Sequence, residues 1–320
     1  MTDERGPTRA LYQERAQAGA PNASDARCLL CPRRCVIPDG SAGFCGSRAN
    51  RGGVLVAEGY AVVSALALDP IEKKPLARFK PGSAILSVGG FGCNLSCKFC
   101  QNHRIARARP PSAAGLAGER AAGRSAGGDR DFSILAPENL VGSALSCRDR
   151  GNVGLAFTYN EPLINIEYVT DCARLAKDAG LDVVLVTNGY VNPGPLEELL
   201  PFVDAMNVDL KAFTDGFYES VCGGTRRPVM ETIERAAGRC HVEVTTLVIP
   251  GLNSGYAEID ALASWLASVS PSIPLHLTRH HPDYLMSESV PIEPRALLAL
   301  VEVASARLET VIAGNLRNFP

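Results

Sequence analysis

Three cysteines stand close together in the stretch Gly89-Gly90-Phe91-Gly92-Cys93-Asn94-Leu95-Ser96-Cys97-Lys98-Phe99-Cys100-Gln101-Asn102, at C-x3-C-x2-C spacing. Iron–sulfur clusters are usually held by four thiolates. Three thiolates can hold three irons of a [4Fe–4S] cluster and leave the fourth iron open. An open iron is a ligand site, as the open position of a catalytic zinc is. The glycines let the backbone fold tightly around such a group. The bland alternatives are free buried cysteines, or a zinc site completed by a distant fourth ligand.

A second set, Cys28-x2-Cys31-x3-Cys35-x9-Cys45, supplies four thiolates within 18 residues. Four is the complement for a closed zinc site or for a second [4Fe–4S] cluster, and spacing does not separate the two. An auxiliary cluster would suit an electron relay. Cys147, Cys172, Cys222 and Cys240 are scattered and read as ordinary buried residues.

The elements that must position these cysteines emerge from the rest of the chain. It has 320 residues, 46% hydrophobic and 21% charged, as in a soluble globular protein of about two domains, or of one large α/β domain with an appendage. The net charge of −2 gives no electrostatic case for nucleic acid or an anionic membrane. The polar start Met1-Thr2-Asp3-Glu4-Arg5 does not read as a signal peptide, and no apolar run reaches membrane-spanning length. A cytoplasmic location follows as the expectation. In a reducing compartment, 11 cysteines point to metal or redox chemistry rather than disulfides.

From Ser83 onward, short apolar runs alternate with helical stretches. The runs are 84–88, 153–157, 182–186, 205–210, 242–249 and 273–277. They read as buried parallel strands. Leu163 to Ala179, closed by Gly180, and Ala257 to Ser268 read as amphipathic helices. The expected fold class is α/β, a partial (β/α)6 barrel with an N-terminal cysteine-rich metal-binding extension; an open doubly wound sheet gives the same alternation. The expected divisions are a polar tail over 1–27, helical and frayed, the extension over 28–80, and the barrel over 81–320. Residues 106–130, mostly Ala, Gly, Arg, Pro and Ser, read as a flexible insertion.

Cys93-x3-Cys97-x-Phe99-Cys100 resembles the signature of the radical S-adenosylmethionine (SAM) superfamily, including the aromatic residue before the third cysteine. The resemblance implies a full or partial (β/α) barrel. It also implies a cluster whose open iron binds SAM and whose electron cleaves it to methionine and a 5′-deoxyadenosyl radical, which abstracts hydrogen from a substrate. More closely, the chain is similar to the branch of pyruvate formate-lyase activating enzymes, and within it to the AmmeMemoRadiSam system proteins. The matching stretches are the early cysteines, Asp69-Pro70-Ile71-Glu72-Lys73-Lys74-Pro75-Leu76, Thr158-Tyr159-Asn160-Glu161-Pro162, Thr187-Asn188-Gly189-Tyr190, Asn207-Val208-Asp209-Leu210-Lys211 and His276-Leu277-Thr278-Arg279-His280-His281-Pro282-Asp283-Tyr284. The implied partners are a low-potential reductant such as flavodoxin or ferredoxin, together with either a glycyl-radical enzyme or Memo-like and AMMECR-like proteins acting on a small molecule.

Several of these stretches end strands, and strand ends line a barrel's active site. Where activating enzymes carry Gly-Gly-Glu against the SAM amino group, this chain has Tyr159, Asn160 and Glu161. Glu161 keeps the carboxylate; it could equally favour a helix N-terminus beside Pro162. By resemblance Thr187 and Asn188 border the SAM ribose and carboxylate, and Ile249 packs on adenine. Asp209 and Lys211, at i and i+2, share one face; the resemblance sets them at the SAM and substrate site, and an internal ion pair is the plain reading. His276 and His280 are candidates at the sixth strand's end, His280 as a catalytic group. Phe99 would shield the cluster. The competing function is a non-catalytic iron–sulfur electron carrier or zinc-binding protein.

Overall fold

The apolar runs become strands of one eight-stranded sheet. The computed structural model describes residues 8–15, 24–109 and 132–316. We label the strands β1 (Ala65–Pro70), β2 (Ala84–Gly89), β3 (Asn152–Phe157), β4 (Asp182–Thr187), β5 (Ala205–Asp209), β6 (His241–Val248), β7 (Leu275–Arg279) and β8 (Val311–Gly314). They lie in sequence order across the sheet. β1 runs antiparallel to β2, and every other pair is parallel. The helices between them include α1 (Pro137–Leu145), α2 (Ile166–Asp178), α3 (Pro193–Leu199), α4 (Arg227–Ala236), α5 (Tyr256–Val269) and α6 (Pro294–Ser305). This is the expected partial α/β barrel, with all parallel strands ending on one edge.

Each central strand buries both faces, as parallel strands covered by helices must. Leu155, Val183, Leu185, Met206 and Val208 join the large core on the helix side. On the other face Ile85, Ala156, Val184 and Ala205 enclose Ile71 and Leu76. The segment after β1 therefore plugs the barrel from within. Residues 65–79, read from sequence as part of the extension, belong structurally with the barrel.

The remaining N-terminal residues form a small cysteine-rich layer. Gln13–Arg15 pairs with Ala26–Cys28, which pairs with Val36–Ile37. The helical tail is thus corrected in its described part: residues 13–15 are a strand, because partners far along the chain fix them. Leu11 N–H donates to Glu167 Oε1 at 2.7 Å, and Leu55 N–H to Gln13 Oε1 at 2.8 Å. Such tertiary bonds override local propensity. A bidentate ion pair docks this layer on α2: buried Arg48 reaches both Glu167 oxygens at 2.9 and 2.8 Å. The remainder of the tail (1–7, 16–23) and residues 110–130 of the expected insertion lie outside the described residues. No helix among the described residues is long and apolar enough to cross a membrane.

Candidate active site

The three-cysteine loop leaves the end of β2 and is shaped by Asn160, just past β3. Asn160 Oδ1 accepts the Gly90 N–H at 2.9 Å, and its Nδ2 donates to the carbonyls of Phe91 and Gly92 at 3.0 and 3.1 Å. Gly92 has φ +83°, and a Cβ there would overlap the Cys45 carbonyl oxygen. Cys93 Sγ accepts from Leu95 N–H at 3.4 Å and from Asn188 Nδ2 at 3.5 Å. Phe99 is buried 6.2 Å from Phe217, centroid to centroid. Burial raises the Cys93 and Cys100 thiols, whereas Cys97 is raised first by a hydrogen bond with Cys222 and then by burial. Buried thiols of this kind ionise when a metal supplies positive charge. An all-thiolate set on one loop fits a soft iron–sulfur group. Among the described residues no three His, Cys, Asp or Glu side chains converge as ligands of a single metal ion would. What suits a metal here is the donor type, three thiols on one loop.

Glu161 is buried at the start of the 3-10 turn Pro162–Asn165. Its Oε1 accepts Leu163 N–H at 2.9 Å and the Thr187 hydroxyl at 2.7 Å, and its Oε2 accepts Asn188 N–H at 2.8 Å. Burial pushes its carboxyl up to about 7, against the pull of these donors. The helix-start role is the one the structure displays. Glu161 organises its helix start and the end of β4, and Oε2 retains a lone pair for a further donor. Asn188 also donates to Asn94 Oδ1 at 2.9 Å, so the end of β4 is tied to the cysteine loop. Lys211 Nζ meets Asp209 Oδ2 at 2.8 Å and lies 5.8 Å from the Phe99 ring centre. Burial disfavours the ammonium, but Asp209 and Cys97 outweigh it and hold its pKa well above the usual range. Glu161, Thr187, Asn188, Asp209 and Lys211 thus gather around the cysteine loop from three strand ends.

Residues 87–266, more than half of the chain, match the radical SAM superfamily. The chain belongs to the radical SAM superfamily. It is 37% identical over 268 residues to an uncharacterised protein of Methanocaldococcus jannaschii, covering 83% of this chain and 73% of that one. It is 24% identical over 196 residues to the pyruvate formate-lyase-activating enzyme of Clostridium pasteurianum, covering 59% of this chain and 72% of the enzyme. A radical SAM methyltransferase from Sphaerobacter thermophilus shares the fold, with TM-score 0.51 and 18% identity over 73% of this chain and 67% of that one.

Other sequence candidates take different places in this radical SAM barrel. Ile249 is buried after β6, its N–H donated to Asn253 Oδ1 at 2.7 Å. His280 is buried beyond β7, where burial and then His281 lower its pKa and keep the ring neutral. Ser289 Oγ donates to the Met286 carbonyl, so it accepts from His280 Nε2–H; Nδ1 is then a lone-pair acceptor without a partner among the described residues. His276 instead bonds Glu243 Oε2 at 2.6 Å. Glu243 also takes His241 and the N–H groups of Ala77 and Arg78. His276 therefore braces the plugging segment against β6.

Two interior residues, Asp69 and Lys74, escaped sequence reading as site residues; they meet Tyr159, which did not escape it. Tyr159, at φ +70°, donates its hydroxyl to Asp69 Oδ2 at 2.6 Å, and buried Lys74 bonds the same oxygen at 2.8 Å. Burial would raise the Asp69 carboxyl, but Lys74 and Tyr159 hold it well below the carboxylate range. A left-handed tyrosine stores strain of the kind found at functional sites. The motif 69–76 was visible in sequence, but nothing local showed that it enters the barrel.

Cys28, Cys31, Cys35 and Cys45 line one enclosed cavity with Arg33 and Arg48. Burial pushes Cys31 up to about 12 and raises Cys28 and Cys45. Arg33 also bonds the carbonyls of Asn94 and Gly223. The early cysteines are therefore stitched to the three-cysteine loop.

Proposed function

We propose that Cys93, Cys97 and Cys100 hold a [4Fe–4S] cluster with one open iron, and that the chain is a SAM-cleaving radical enzyme. When bound, the cluster supplies one electron at low potential for reductive cleavage of SAM, which initiates hydrogen abstraction. The supporting observation is the convergence of Glu161, Asn188, Asp209 and Lys211 on the cysteine loop of a radical SAM barrel. In this reading Glu161 Oε2 and the Asp209 carboxylate receive the SAM ammonium, as charge-assisted acceptors. Lys211 supplies a fixed positive charge that balances the thiolates, and Phe99 keeps water from the cluster. His280 Nδ1 accepts from a ligand hydroxyl or N–H. Tyr159, Asp69 and Lys74 form the floor toward substrate.

The substrate class is the glycine of a partner protein, or a small molecule handled with Memo-like and AMMECR-like partners. The activating-enzyme homologues support the first; a flavodoxin- or ferredoxin-type reductant is the electron source this reading requires. The early cysteines hold zinc or a second cluster in this reading; iron, zinc and sulfide analysis of wild type and Cys31→Ala separates the two. The deciding experiment is anaerobic reconstitution with iron and sulfide, addition of SAM and dithionite, and quantification of 5′-deoxyadenosine. Formation that disappears in Cys97→Ala is expected. Undiminished formation in that variant would refute the ligand assignment.

A further inference from the structure

Cys222 is a fourth thiol at the three-cysteine loop. The backbone holds it opposite Cys97. Ser96 N–H donates to the Cys222 carbonyl at 2.7 Å, and Lys98 N–H to the Val221 carbonyl at 3.0 Å. The residues on either side of Cys97 are therefore both fastened to the segment carrying Cys222. Gly223 follows at φ +67°, where a Cβ would overlap Ser96 Oγ. Arg33 closes the arrangement from the early-cysteine layer through the carbonyls of Asn94 and Gly223. Between these pinned chains Cys222 is the neighbour that does most to raise the Cys97 thiol. Cys222 is fully buried, and Cys97 nearly so. Cys93 is engaged elsewhere, by Leu95 and Asn188.

We infer that Cys97 and Cys222 form a reversible disulfide when the loop is oxidised and stripped of its metal. The inference deepens the proposed cluster site and rests on it. A peroxide oxidises the Cys97 thiol to a sulfenic acid and leaves as water. The Cys222 thiol then attacks that sulfur; the S–S bond forms, the S–O bond breaks, and hydroxide departs with the Cys222 proton as water. Two thiols lose two electrons, and the peroxide gains them. A dithiol reductant reverses the bond by exchange, itself becoming a disulfide. The pairing keeps a cluster ligand below the irreversible rungs of cysteine oxidation. The two segments are already bonded side by side, which keeps the two thiols in reach of each other.

The test uses the full chain, reconstituted anaerobically and monitored by its visible cluster absorption. Hydrogen peroxide is added, free thiols are blocked with N-ethylmaleimide in denaturant, and tryptic peptides are mapped by fragmentation mass spectrometry. Cys97–Cys222 is expected as the dominant Cys97 linkage. Dithiothreitol, iron and sulfide should then restore the starting absorption. Cys222→Ser and Cys222→Ala should load cluster like wild type before oxidation. After peroxide they should yield Cys97 as sulfinic or sulfonic acid and regain less absorption. Cys97 linked to Cys93 or Cys100, or recovered unlinked, overturns the inference. So does full recovery in both variants, or failure of both to load before oxidation. If wild type takes up no cluster, the proposed function fails, while the same linkage map still decides whether the disulfide forms.

Discussion

Glu161 and Asn188 lie 27 residues apart and meet through one carboxylate oxygen, which accepts the Asn188 backbone N–H at 2.8 Å. Asn188 in turn donates through its side chain to Cys93 Sγ. One buried acid thus sets the turn that touches Cys93, a proposed cluster ligand. Glu161→Gln tests this. The amide keeps one acceptor oxygen, but its NH2 cannot accept a second N–H. Either Asn188 or the Leu163–Thr187 pair is left unpaired in the interior, at a cost of about 1–3 kcal/mol. A lower Tm and reduced SAM cleavage are expected. A variant as stable as wild type would show that the carboxylate is dispensable to the turn.

The Arg48–Glu167 pair makes a prediction about the early-cysteine layer. Both side chains are buried, and the bond is bidentate. Arg48→Met leaves an uncompensated buried carboxylate, and breaking such a pair costs about 3–5 kcal/mol. The double variant Arg48→Met/Glu167→Leu should recover a large part of that loss. Urea denaturation of the parent, the single and the double variants measures it. A single variant no less stable than the double one would mean that the charge is not what Glu167 contributes.

How much of this was readable beforehand depends on where the deciding contact lies. The six central strands announced themselves because both faces are apolar. The edge strands did not: Ala65–Pro70 is half-exposed and ends in Asp69-Pro70, and Val311–Gly314 is four half-buried residues. The three-cysteine loop was legible because its cysteines are local in sequence. Cys222 was not, since only folding brings it to Cys97. His276 belongs to a motif expected at a strand's end, but it is the second residue of Leu275–Arg279, away from the cysteine loop, and its residue name does not reveal that Glu243 claims its ring. Lys74 and Asp69 were seen as a motif, and their placement inside the barrel came from the antiparallel return of β1.

Glu243 gives the pH dependence its sign. Burial would raise its carboxyl, but hydrogen bonds from His241 and His276 and from the Ala77 and Arg78 N–H groups hold it down at about 2. A carboxyl depressed in the folded state stabilises fully above its unfolded value, and that contribution fades as pH falls from about 4.5 toward 2. The shift corresponds to about 3 kcal/mol at neutral pH. Glu243→Gln should remove this acid limb: the stability gap to wild type, measured by denaturant titration, narrows as pH drops below about 4. Using the difference between the two proteins cancels acid effects common to both. A gap constant from pH 7 to pH 3 would assign the limb to other groups.

Gly92 and Gly151 form a natural control pair for the contact between the two cysteine sets. Both have φ +83°. A Cβ on Gly151 meets nothing within 4 Å, while one on Gly92 would overlap the Cys45 carbonyl and come within 3.0 Å of Ile164 Cδ1. Gly151→Ala therefore measures left-handed backbone strain alone, about 1–2 kcal/mol. Gly92→Ala adds a clash that neither the Cys45 backbone nor the packed Ile164 can relieve cheaply. It should cost more stability than Gly151→Ala. It should also reduce iron uptake at Cys93, Cys97 and Cys100, because the loop must lift away from the early-cysteine layer. Iron content and denaturation midpoints of the two variants decide it. Equal losses with unchanged iron would mean that the Gly92–Cys45 contact does not help shape the cluster loop.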